Sequence, residues 1–221
     1  MLLSLFACAE PTEAERFTAA LAAGGLEVAL EQCRQIDDGF VAGECSAAAL
    51  SQHGPDLEGC RALTAALWRD ECVFMAAEAL AVEDLRAGVD ACHDSSFARE
   101  CSFHLIRDEA RGAVMEDAAS ASVVAGRLVD IRRAPDARFI FWQEWFVAGR
   151  AADLPANPDR CEGAADPLDC IEGLRRLSHQ TARGLGPEKV CARLSTGPLA
   201  ERLEPGEEIR AELMDLCEAR D

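Results

Sequence analysis

The chain has 221 residues, with 40 acidic against 22 basic side chains and 11 cysteines. A formal net charge of −18 repels nucleic acid, and no stretch approaches the roughly 18 to 20 apolar residues of a membrane-spanning helix. A hydrophobic content of 49% is enough for a packed core, which excludes wholesale disorder.

Acid excess is greatest in the N-terminal half: residues 1 to 100 carry 18 acidic and 6 basic side chains, and residues 101 to 221 carry 22 and 16. Such a surface is well solvated and steers cations or basic partners. The chain opens on an apolar run ending in Leu5-Phe6-Ala7-Cys8, after which Ala9-Glu10-Pro11-Thr12-Glu13 turns polar at once. This resembles the end of a bacterial lipoprotein signal, in which a leucine lies three residues before an acylated cysteine and a small residue just before it. The resemblance implies lipidation at Cys8 and export to the periplasm or cell envelope. Residues 1–11 are then an anchor and linker, and a membrane is reached only through the lipid.

Beyond Thr12 the apolar spacing is helical. Leu26, Ala29, Leu30 and Cys33 fall at i, i+3, i+4 and i+7, and Trp68, Cys72 and Met75, then Phe97, Cys101, His104 and Leu105, repeat the pattern. Gly24-Gly25, Asp37-Asp38-Gly39 and Gly54-Pro55 supply breaks between helices, and Ser95 or Ser96 offers a cap for the helix that contains Cys101.

Ten cysteines remain when Cys8 is set aside, and they fall into close neighbours: Cys33 with Cys45, Cys60 with Cys72, Cys92 with Cys101, Cys161 with Cys170, leaving Cys191 for Cys217. An even set at such spacings suits a disulfide framework and an oxidising compartment. Ten cysteines allow many other pairings, so spacing alone leaves the connectivity open.

The first two neighbour sets align without a gap, from Cys33-Arg34 to Glu44-Cys45 and from Cys60-Arg61 to Glu71-Cys72. The third, Cys92-His93 to Glu100-Cys101, and the fourth, Cys161 to Asp169-Cys170, are three residues shorter. Repeats of this size point to stacked helix pairs. Twelve residues of unbroken helix span about 18 Å, whereas a disulfide holds its α-carbons within about 7 Å. A Cys33–Cys45 bridge therefore requires the reversal that Asp37-Asp38-Gly39 offers. Thr64-Ala65-Ala66-Leu67 has no Gly or Pro, so a continuous helix there would forbid Cys60–Cys72.

Residues 116 to 131 place Val123, Val124, Leu128 and Ile131 in helical spacing before Arg132-Arg133-Ala134-Pro135 interrupts. The next segment, Phe139 to Phe146, is apolar over most of its circumference. It is expected either as a central buried helix or, through Phe139, Trp142, Trp145 and Phe146, as a protein-partner surface. The last segment, from Pro205, reads as an acidic amphipathic helix with Ile209, Leu213, Leu216 and Cys217 on one side. These elements give an all-α fold of stacked antiparallel helical hairpins, a short α-solenoid or irregular bundle, stapled by disulfides. Cysteine-paired repeats are expected over 12–133 and a helical segment packed on them over 134–221, or one continuous domain over 12–221. In having one bridged helix pair per unit, the plan is similar to cysteine-rich Sel1-like repeat proteins, whose Gly and Tyr landmarks this chain lacks.

Signs of catalysis are sparse. Cys92-His93 with Cys101-x-x-His104 offers four zinc ligands, but no Cys-x-x-Cys accompanies them. Ser178-His179 lacks a Gly-x-Ser-x-Gly elbow, and Lys189 sits in no phosphate-cradling loop. No catalytic residue, metal or cofactor is assigned. The expected role is a non-catalytic exported module that binds a protein partner or serves structurally at the cell envelope. The alternative is a thiol-rich binder of zinc or copper.

Overall fold

The computed structural model describes residues 12–22, 24–54 and 56–218, and these form twelve α-helices, two 3₁₀ turns and no named strand. The anchor expected at Cys8 lies outside the described residues. Two compact units result. One comprises the described residues up to Glu83 with Ala91–Ala98, the other Asp84–Asp90 and the described residues from Arg99 onward. The units thus do not divide at the Arg132–Pro135 break. That break is a turn inside the second unit, where Leu128 and Ile131 are buried and Arg86 donates to the Asp130 carbonyl.

In the first unit each helix start has a local reason. Thr12 caps α1 (Glu13–Leu21) in a reciprocal capping box with Glu15, Asp38 caps α3 (Gly39–His53), and Asp56 caps α4 (Leu57–Arg61). Gly25 precedes α2 (Leu26–Arg34) in extended conformation, and α5 (Ala66–Glu83) completes the set. α1, α2 and α3 pack together, and α5 packs on α3 and α4.

Cys33, at the end of α2, is bridged to Cys45 with α-carbons 5.5 Å apart, and Cys60, in α4, to Cys72 at 5.3 Å. The second bridge is possible because the helix stops: Ala62 to Ala65 form an irregular turn between α4 and α5. There the Leu63 side chain packs against the cluster around Cys60 and Cys72. Partial burial of that leucine accompanies the reversal that no Gly or Pro announces. Cys45 and Cys72 are each the seventh residue of their helix, whereas Cys101 and Cys170 are each the fourth of theirs. The three-residue shortening of the later repeats therefore removes about one helical turn before the second cysteine.

Ser95 and Ser96 are engaged otherwise than as expected. Ser95 Oγ donates to the Cys92 carbonyl, and Ser96 donates through both N–H and Oγ to the buried Asp70 carboxylate.

The second unit contains α6 (Leu85–Ala91, all but its last residue), α7 (Ala98–Gly112, from Arg99), α8 (Ala118–Arg127), α9 (Ala137–Ala151), α10 (Pro167–Leu185), α11 (Pro187–Thr196) and α12 (Gly206–Glu218). Its centre is the pair α9 and α10, which approach closely at Gly173. A β-carbon there would lie 2.4 Å from Trp142 Cβ and 2.8 Å from the Gln143 backbone nitrogen. Only glycine allows that approach without moving a backbone. Cys161, in the 3₁₀ turn Pro158–Cys161, is bridged to Cys170 of α10, and Cys191 of α11 to Cys217 of α12.

On α8 the buried stripe is Ala118, Ala121 and Ala125, continued by Leu128. Val123, expected inward, is instead 64% exposed. Small alanines on the inner face let α8 sit close to α9.

Candidate functional site

Trp142, Trp145 and Phe146 are not on the surface. All three are at most 1% exposed, together with Phe141, and only Phe139 of the four expected partner residues keeps partial exposure. The reason is the circumference noted in the sequence. A helix apolar on nearly every side removes most surface from water when it is surrounded. Trp142 and Trp145 meet edge to face, 5.3 Å between centroids, and Trp145 Nε1 donates to the Ala113 carbonyl at 2.9 Å. Phe139 lies beneath two guanidiniums, those of Arg138 and Arg176, at 4.7 and 4.8 Å.

Arg160 is built into this aromatic centre. Its guanidinium stacks 3.6 Å from the Trp145 centroid and donates to the Val114 carbonyl at 2.8 Å. It occupies the place where a β-carbon on residue 149 would stand, 1.8 Å away, so Gly149 makes room for it. Burial pulls its pKa down to about 10. It remains charged at neutral pH and serves as a half-buried clamp on carbonyls and rings.

The remaining candidate chemistry lies on the outward face of α10. Glu172, Arg176, His179 and Arg183 recur at spacings of three and four, so they share one face. Two cavities flank it. One, of about 550 Å³, lies toward α11 and α12, with Val190 and Leu213 as an apolar floor and Ala182, Pro187 and Cys217 in its wall. The other, of about 810 Å³, lies toward α9 and α7 and is lined by Arg99, Phe103, Ile140, Arg175 and Arg176 among others. His179 and Arg183 line both cavities.

Charge along this face is unevenly committed. Arg175 is held by Glu172, Glu208 and Glu212, and Arg176 by Glu172 and Asp136. His179 Nε2 lies 3.3 Å from Glu212. Arg183 and Arg99 make no ion pair or hydrogen bond among the described residues, and both are exposed. In a chain of net charge −18, Arg183 thus stands uncommitted beside the apolar cavity and Arg99 beside the second one.

The other expected chemistry is engaged elsewhere. Ser178 Oγ donates to the Leu174 carbonyl, away from the neighbouring His179. His104 contacts Arg107 and Asp108 on its own helix. All ten cysteines among the described residues are disulfide-bonded, Cys92 and Cys101 included. A thiolate metal site of the kind considered for Cys92, His93, Cys101 and His104 therefore has no thiols there to use, and no group of three or more ligating side chains occurs among the described residues. The disulfides point to an oxidising environment. No described helix is long and apolar enough to cross a membrane. The α10 groove escaped sequence reading because its residues come from five helices. Its only local signal is the run Arg175, Arg176, His179 and Arg183, a basic stripe in an acidic chain.

No family model matches the chain, and comparison with curated proteins and with solved structures returns no significant match.

Proposed function

We propose that the protein is an exported, disulfide-stapled helical module that acts by binding rather than catalysis at the bacterial cell envelope, tethered through a lipid on Cys8. The observation that carries the reading is the complete pairing of the ten described cysteines. Thiol-reducing compartments do not sustain such a set. The lipobox-like Leu5-Phe6-Ala7-Cys8 supports the anchor, and the acidic surface keeps the module soluble. With Trp142, Trp145 and Phe146 committed to the core, the α10 groove is the recognition surface that the geometry favours.

Intact mass of the protein, before and after alkylation without reductant, tests this. The expected outcome is no alkylation at the ten described cysteines. Ten reactive thiols would overturn both the framework and the export. Separately, a mass increment at Cys8 in protein purified from membranes is expected, and an unmodified Cys8 in that fraction ends the anchor.

A further inference from the structure

We infer that the α10 groove binds a single-chain amphiphile with an oxyanion head, such as a long-chain carboxylate. The apolar chain lies in the cavity between α10, α11 and α12, and the head sits at Arg183. This inference deepens the proposed binding role by naming the ligand class.

Three observations combine. The first is the cavity of about 550 Å³, lined mainly by apolar side chains with His179 and Arg183 at its edge. Ligand sites are typically concave spaces of about 300 to 1,000 Å³ with mostly apolar walls and a few placed polar groups. The second is the state of the cations. Carboxylates of this chain already neutralise Arg175 and Arg176, while among the described residues the guanidiniums of Arg183, at the junction of the two cavities, and of Arg99, in the second, have no ion-pair partner. A guanidinium presents a fork of N–H donors that matches a carboxylate or phosphate in a bidentate way. The third is that the two coincide. The chain's net charge of −18 repels anions in general, and Arg183 stands at the apolar cavity itself, so head and chain are drawn to one place.

Polar neighbours set the limits of the head site. Glu212 faces His179 and Arg175 from α12, and Glu172 faces Arg175 and Arg176 along α10. A cationic head would compete with arginine for these acids, whereas an anionic head meets Arg183 without displacing a pair. The bridge from Cys191 to Cys217 joins α11 to α12, and Cys217 is part of the cavity wall, so the bond ties two sides of the cavity together.

The test uses the oxidised full chain, titrated with 11-(dansylamino)undecanoic acid and followed by dansyl fluorescence. The expected result is saturable 1:1 binding, weakened at least tenfold when the carboxylate is replaced by its methyl ester. Arg183→Gln should remove that tenfold preference and leave binding of the ester unchanged. Ala182→Phe, which fills the cavity, should abolish binding of both probes with helicity and thermal midpoint retained. Equal binding of acid and ester, an unchanged preference in Arg183→Gln, or full binding by Ala182→Phe overturns the inference. So does sedimentation with anionic phosphatidylglycerol vesicles in the absence of any saturable binding to the free probe. Failure of these titrations leaves the alkylation result untouched, so the ligand class and the export reading fall separately.

Discussion

The two units of the chain solve the same problem with different materials. In the first, the twelve buried residues of the two core clusters include five alanines and four cysteines, and only Ile36, Leu50 and Val73 are larger. Small side chains let helices approach but remove little apolar surface from water. In the second, Phe141, Trp142, Trp145 and Phe146 are all fully or almost fully buried around one helix. Aromatic rings of this kind each bury about 150 to 250 Å². Cross-links therefore matter most where the core is poorest: a bridge stabilises by restricting the unfolded chain, independently of how much surface the folded chain buries.

The largest expected effect separates the units by reduction. Each of the Cys33–Cys45 and Cys60–Cys72 bridges closes a loop of about a dozen residues, nominally worth close to 3 kcal/mol. Under a reductant, backbone amides of α2, α3 and α5 should lose hydrogen-exchange protection, while those of α9 and α10 keep most of theirs. Simultaneous loss in both sets would break the comparison. Next comes the aromatic centre. Trp145→Ala removes a ring stacked by Arg160 and a hydrogen bond to Ala113, and should cost about 3 to 5 kcal/mol in chemical denaturation of the oxidised protein. The loss should appear in α9 and α10 exchange and leave α2 and α3 unchanged. A cost below about 1 kcal/mol would show that the second unit, too, depends chiefly on its bridges.

How far the sequence discloses this follows from where each cause resides. The helices and the bridge from Cys33 to Cys45 are legible because their causes are local: Asp38 caps α3 just after the turn, and the apolar residues repeat at helical spacing. The break before α5 is not, because it rests on Leu63 entering a cluster built from other helices. Val123 turns outward and Ala121 inward for a similar reason. Periodicity identifies a stripe, but close approach to α9 selects the smaller residues for the inside. Phe139 to Phe146 could be read either way from the sequence; packing buries Phe141, Trp142, Trp145 and Phe146 and leaves Phe139 partly exposed. The groove is the least legible part, since Arg99 and Arg183 are far apart in the sequence and are brought to one cavity only by packing.

Glu144 gives the smallest of the three effects and sharpens the contrast from inside the aromatic unit. It is 7% exposed, in the middle of the Phe141 to Phe146 segment, and burial pushes its carboxyl above the ordinary glutamate value while Arg107 and Arg111 pull it part of the way back. Because the folded pKa is the higher one, the unfolded chain releases its proton first as pH rises. The folded state is thus unpenalised below the ordinary glutamate value of about 4.3 and loses stability progressively above it, until the folded group has ionised as well. Glu144→Gln should therefore stabilise the oxidised protein at pH 7, and the gain should shrink to nothing as pH falls through that value. Denaturation midpoints across pH 3.5 to 8, an interval of about 4.5 units chosen to bracket the ordinary glutamate range, check the sign. A variant that is less stable at pH 7 would mean that attraction to Arg107 and Arg111 outweighs burial, and that even the aromatic centre relies on charge to hold α7 against α9.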